Sequence, residues 1–145
     1  PHKNSNVLID AFERFSKDTH LYFVGKSDFF TDKLKEYIEQ KKIKNISFLH
    51  DVNDEELSSI YSEASALVIP SFMEGFGLPA IEAMSHNTPV IASDIPSLRE
   101  ITGGNALFFD PNSQQELEQK MQYVLNSKNE LINLLNPTSF LISFK

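Results

Sequence analysis

The chain has 145 residues, a length that suits one domain with one sizeable core, and no stretch approaches the roughly 18 uncharged apolar residues of a membrane-spanning helix. Its net charge is −7, and residues 51–145 hold four Lys/Arg against thirteen Asp/Glu, which argues against nucleic acid as a main partner. Cysteine is absent, which excludes disulfides and thiolate metal sites and fits a cytoplasmic protein.

The chain starts Pro1-His2-Lys3-Asn4, which is neither a signal peptide nor an initiation site, so trimming from a longer chain is expected. Val7, Leu8, Ala11, Phe12 and Phe15 recur at helical spacing and predict a helix over 5–17. Leu21-Tyr22-Phe23-Val24, closed by Gly25, reads as a buried strand. A second helix carries Leu34, Tyr37 and Ile38, with Thr31 or Asp28 as its cap, and Ile46–Leu49 is the next strand. Asn53 opens a helix with an acidic first turn, as the helix dipole favours. Strand 66–69 ends at Pro70, helix 78–85 follows, and 89–92 is again a strand. A short helix over 96–101, a strand over 106–109 and a helix over 114–125 complete the pattern, the last with Leu117, Met121, Val124 and Leu125 as its core stripe.

Apolar runs rather than alternating ones indicate strands covered on both faces. Strand and helix in alternation predict an α/β fold, a Rossmann-like parallel sheet flanked by helices. The chain opens on a helix, so the first strand, usually central in such folds, is expected to be missing. Residues 1–135 are read as one domain, and 136–145 as a tail without clear periodicity.

Ligands of open α/β sheets bind beyond the carboxyl ends of the strands. Pro70-Ser71-Phe72-Met73-Glu74-Gly75-Phe76-Gly77-Leu78-Pro79 lies at that edge. Gly75 and Gly77 would let the backbone turn and a ligand approach, and Pro79 suits the first turn of a helix. Unpaired amides and the dipole's positive end make an anion site there, with a diphosphate as the natural guest. Glu74 and Glu82 would be repelled by a diphosphate unless they face hydroxyls, and a nucleotide-sugar has that layout of sugar, diphosphate and ribose. The bland alternative, a structural Gly-x-Gly turn with a solvated Glu82, stands beside it.

The string EGFGLPAIEAM, followed by Thr88-Pro89-Val90-Ile91-Ala92-Ser93 and Arg99-Glu100, closely resembles the family-four retaining glycosyltransferases of the GT-B fold. Their hallmark of two glutamates with seven residues between them is matched by Glu74 and Glu82. Lys3-Asn4 with the helix after it, Tyr61 with Pro70-Ser71, and Asn105 to Pro111 extend the likeness over nearly the whole chain.

The resemblance implies that Glu74 binds the transferred sugar, Glu82 the ribose hydroxyls, and the amides of Phe76, Gly77 and Leu78, beside Gly75, the sugar and its phosphate. Lys3 would neutralise the diphosphate together with an arginine upstream of Pro1, and the region of Val52 would sit against the base. His50 stands where the family has Gly and reads equally as base-pocket lining or an exposed loop histidine. Asn87 stands where a glycine is common and is expected in the left-handed conformation. Glu100 reads as bonding nearby backbone or as a ligand contact.

The implied protein is a bacterial hexosyltransferase of polysaccharide biosynthesis. It would use a UDP- or GDP-sugar, retain anomeric configuration, and act on a glycan or lipid-linked acceptor held by an N-terminal domain absent from this chain. No metal or other cofactor is expected, since the chain has no Asp-x-Asp pair and positive groups can replace the cation. Peripheral association of the whole enzyme with the inner face of the cytoplasmic membrane would be typical, and the isolated fragment should be inactive. The competing readings are a non-catalytic nucleotide-sugar-binding module and a GT-B phosphorylase or epimerase.

Overall fold

A computed structural model describes residues 2–132 and 139–145, without the side chains of 128–132. The elements in chain order are α1 (Ser5–Phe12), a 3-10 turn (Glu13–Phe15), β1 (Thr19–Val24), α2 (Phe29–Lys41), β2 (Ile46–Leu49), α3 (Asp54–Glu63) and β3 (Ala66–Ile69). There follow α4 (Leu78–Ser85), β4 (Val90–Ser93), α5 (Pro96–Thr102), β5 (Leu107–Phe109), α6 (Gln114–Ile132) and β6 (Ser139–Phe144). The expected α/β alternation is present, with two differences of extent. The first helix tightens into the 3-10 turn after Phe12 instead of continuing to 17, and the last runs on past 125 to Ile132.

All strand pairs among the described residues are parallel, in the order β2-β1-β6-β3-β4-β5. That is the Rossmann order 3-2-1-4-5-6, with β6 in the place of strand one. The strand expected before α1 therefore has its central place taken by residues 139–144, which show no clear periodicity in the sequence. β6 pairs along its whole length with β1, from Thr19↔Ser139 to Val24↔Phe144, and with β3 at Ala66↔Leu141 and Leu67↔Ile142. Ser143 Oγ donates to the carbonyl of Val68 at 2.7 Å, tying β6 to its neighbour through a side chain as well.

Consecutive strand residues face opposite sides of the sheet. Ala66 and Val68 pack with Leu141 against Leu8, Ile9 and Phe12 of α1 and Leu117 and Met121 of α6. Leu67 and Ile69 pack with Ile142 against Tyr61 of α3, Ala80 and Ala83 of α4 and Leu98 of α5. Both faces are covered, which is why β3 and β4 read as unbroken apolar runs.

Helix ends follow their sequence signals. Asp28 and Asn53 each form a capping box with the third residue of the helix, Thr31 and Glu56. Of the two candidates for the α2 cap, Asp28 is the cap and Thr31 its partner. Asn87 adopts φ 57°, as expected of a residue standing in for glycine. No helix among the described residues is long and apolar enough to cross a membrane.

Candidate functional site

The order of the sheet reverses between β6 and β3, and a cleft opens there at the strand ends, lined by Lys3, Ser71, Glu74, Pro79 and Phe144 among others. Lys3 reaches it because the residues on both sides of it are fastened. Asn4 sits at φ 56° and its amide donates to the carbonyls of Pro70, at 2.9 Å, and Pro111, at 2.8 Å. The carbonyl of His2 accepts from the amide of Phe72 at 2.8 Å. Between these anchors the Lys3 ammonium lies 3.3 Å from a carboxylate oxygen of Glu74, whose side chain is only 12% exposed.

Gly77 caps α4 at φ 59°, and a Cβ there would stand 2.6 Å from the Ile101 side chain. Its missing side chain makes room for the protein's own core rather than for a ligand, which corrects half of the sequence expectation. Gly75 has no positive φ, and a Cβ on it would meet nothing within 4 Å, so the loop is open to approach at that point.

The helix begins at Leu78 with Pro79 in its first turn, where proline's missing N–H costs nothing. Among the described residues no acceptor meets the amides of Phe76, Gly77 or Leu78. They lie where the helix dipole is positive. Around them Phe72, Met73, Phe76, Leu78 and Ile81 expose apolar side chains, Phe76 most of all at 86%.

Glu82 follows on the second turn of α4, about 6 Å along the axis from Leu78 at 1.5 Å per residue. The Tyr61 hydroxyl donates to one of its carboxylate oxygens at 2.8 Å. Tyr61 in turn stacks on Phe144, centroids 6.0 Å apart, and Phe144 lines the cleft that holds Glu74. Both glutamates thus flank the carboxyl end of β6. Burial, and then the Glu82 carboxylate beside it, push the Tyr61 hydroxyl far above its ordinary value.

His50 and Val52 lie just past β2, two strands outward from β6. His50 is half-buried, and its Nδ1 donates to the carbonyl of Gly25 at 2.8 Å, joining the ends of β1 and β2. Glu100 is exposed on α5 and its carboxylate has no partner among the described residues, so the backbone-bonding reading is not realised. Its neighbour Arg99 pairs with Asp94, at 2.5 and 2.9 Å, and covers the Phe108 ring.

Sequence reasoning missed the part played by β6. A cavity of about 470 Å³ opens on the other side of Lys3, where Asp28, Phe30, Lys33 and Lys145 line it. The Lys145 ammonium, at the end of β6, is bonded to the Lys26 carbonyl and the Thr31 hydroxyl. Its pKa is lowered, by burial first, while Asp28 opposes the shift. The signal for β6 lay in the run Phe140-Leu141-Ile142, of the same character as β3. No group of His, Asp and Glu able to hold a metal ion gathers among the described residues.

The profile of the family "Glycosyl transferases group 1" matches residues 1–136, nearly the whole chain. The chain belongs to this family. It is 37% identical over 125 residues to the O-antigen chain mannosyltransferase RfbU of Salmonella typhimurium, covering 86% of this chain and 35% of that protein. It is likewise 37% identical over 117 residues to O-antigen chain mannosyltransferase B of Escherichia coli, covering 77% and 31%.

Among solved structures, sucrose-phosphate synthase from Thermosynechococcus elongatus superposes with a TM-score of 0.77 at 29% identity, over 86% of this chain and 33% of that one. A glycosyltransferase from Rickettsia africae gives 0.75 at 26% identity, over 87% and 35%. The chain spans about a third of the length of the curated relatives it matches. β6 lies beyond the matched residues, so the central strand of the sheet comes from outside the family profile.

Proposed function

We propose that this chain is the donor-binding part of a retaining glycosyltransferase, taking a hexose from a UDP- or GDP-sugar and passing it to a glycan or lipid-linked acceptor. Mannose is the sugar favoured by the relatives' names. The observation that carries the reading is the approach of Lys3 to Glu74, 3.3 Å apart, beside three unpartnered amides at the start of α4. A cation and free amides suit a diphosphate, while a carboxylate suits hydroxyls. Lys3 and Glu74 line one small cleft with Pro79, and the amides belong to the residues just before that proline.

In this reading the amides of Phe76, Gly77 and Leu78 hold the phosphate next to the sugar, with open space at Gly75. Lys3 exchanges its contact with Glu74 for the diphosphate, and Glu74 turns to the sugar hydroxyls. Glu82 binds the ribose hydroxyls, and Val52 and His50 border the base. As the bond between the anomeric carbon and the phosphate oxygen breaks, Lys3 and the helix N-terminus stabilise the charge on the leaving diphosphate. The departing phosphate oxygen takes the proton of the acceptor hydroxyl, whose oxygen bonds to the anomeric carbon on the same face. No metal is required by this scheme. Residues 1–135 together with β6 form the donor domain, and the acceptor is held by a segment outside this chain, with the whole enzyme resting on the inner face of the cytoplasmic membrane.

The test is calorimetric titration of the chain with UDP, GDP and their hexose conjugates, in the presence of chelator. Saturable binding that weakens at least tenfold in both Lys3→Ala and Glu74→Ala supports the reading. Binding that is unaffected by either substitution contradicts it.

A further inference from the structure

Among the described residues the buried hydroxyl of Tyr61 is the one polar group that reaches the Glu82 side chain from another helix. Its ring is 1% exposed and lies between His86, centroids 5.4 Å apart and 20° from parallel, and Phe144, 6.0 Å and 28°. The carbonyl of the same residue accepts from the Thr88 hydroxyl. A ring stacked on both sides and bonded through its backbone cannot swing its hydroxyl away. The O–H points at Glu82 and donates to one carboxylate oxygen at 2.8 Å. The other oxygen has no partner among the described residues.

The backbone beneath Glu82 is fastened as well. Its carbonyl accepts from Nδ1 of His86 at 2.7 Å and from the Ser85 hydroxyl at 2.7 Å, while Nε2 of His86 meets the Ser58 hydroxyl at 2.9 Å. Without Tyr61 a glutamate on an exposed helix face would sample several rotamers, and ordering it on binding would cost affinity. With Tyr61 in place, its hydroxyl donates to one oxygen and leaves the other as an acceptor for a ligand.

We propose that Tyr61 is a positioning residue for Glu82, holding one of its oxygens so that the other is presented to the ribose hydroxyls of the nucleotide. This rests on the reading of Glu82 given under Proposed function. Tyr61 touches no substrate; it acts through the carboxylate. The specificity that results is for ribose over deoxyribose.

The experiment titrates the full chain and its variants with UDP and GDP, and with the 2′-deoxy form of each. The wild type is expected to prefer the ribonucleotide by about tenfold, the worth of one hydrogen bond to a charged group. Tyr61→Phe, which keeps the stacked ring, is expected to cut that preference to about threefold or less. Glu82→Ala is expected to abolish it, and adding Tyr61→Phe to Glu82→Ala to change nothing further. Tyr61→Phe keeps the ring between its two stacking partners, and a melting temperature close to that of the wild type checks that it folds. A preference that survives Tyr61→Phe but is lost in Glu82→Ala overturns the positioning role alone. A wild type without preference, or a preference that survives Glu82→Ala, overturns the reading of Glu82 and the positioning role with it.

Discussion

Lys3 and Glu74 are 71 residues apart in the chain and 3.3 Å apart in space, and neither position would follow from its own element. Lys3 precedes α1, and Glu74 belongs to the loop between β3 and α4. Asn4 brings them together, because its side chain is bonded to the end of β3 at Pro70 and to the turn after β5 at Pro111.

That arrangement makes Asn4 a point where stability and binding part. Asn4→Ala removes both hydrogen bonds and places an alanine at φ 56°, so a loss of about 2–3 kcal/mol is expected. Asn4→Gly tolerates the backbone and should lose only about 1–2 kcal/mol. Both should weaken nucleotide binding to a similar extent, since both release Lys3. Urea unfolding alongside calorimetry separates the two effects.

The two glycines of the loop are expected to respond differently. Gly77→Ala meets Ile101 and a positive φ together, and should cost about 2–4 kcal/mol. Shortening Ile101 to Val relieves the contact but not the backbone, so it should restore only part of that. Gly75→Ala has open space and ordinary φ, and should change stability by less than about 0.5 kcal/mol. Equal costs at the two positions in chemical unfolding would contradict this account.

β6 can be tested through its two buried side chains. Leu141 faces α1 and α6, Ile142 faces α4 and α5, and both are fully buried. Leu141→Ala or Ile142→Ala should cost about 2–5 kcal/mol. Ile46→Ala on the edge strand β2, where every residue is only half-buried, should cost less than either. If residues 139–144 were not in the sheet, the order would reverse.

The α2 cap predicts a pH dependence. Hydrogen bonds from Thr31, first through its backbone and then its side chain, hold the Asp28 carboxylate below its ordinary 3.8. Its contribution is therefore complete above about pH 4 and disappears as pH falls through the lowered folded value. Asp28→Asn still caps the helix but does not titrate, so the melting-temperature gap between the two proteins should be constant from pH 7 to 5 and narrow below pH 4.

The legible parts of the sequence were those where one rule governs. β3 and β4 read as buried strands because Ala66–Ile69 and Val90–Ala92 are unbroken apolar runs, and Asn53 read as a helix start because three acidic residues follow it. The unread parts depend on distant chain. Phe140-Leu141-Ile142 carries a strand's composition, but only the gap between β1 and β3 gives it a place. Gly77 was read as making way for a ligand because Ile101, 24 positions later, is invisible from the loop. Glu74 entered the candidate site through its place in the loop after β3 and Lys3 through a resemblance, and the bonds of Asn4 that bring them together have no local signature.

The account turns on the backbone at the start of α4, and amide resonances report on it directly. In a heteronuclear NMR titration of the chain with GDP- or UDP-hexose, the amides of Phe76, Gly77 and Leu78 should shift saturably and more than those elsewhere, and the response should be lost in Lys3→Ala. Saturable shifts confined to other strand ends, with these three amides unmoved, would contradict it.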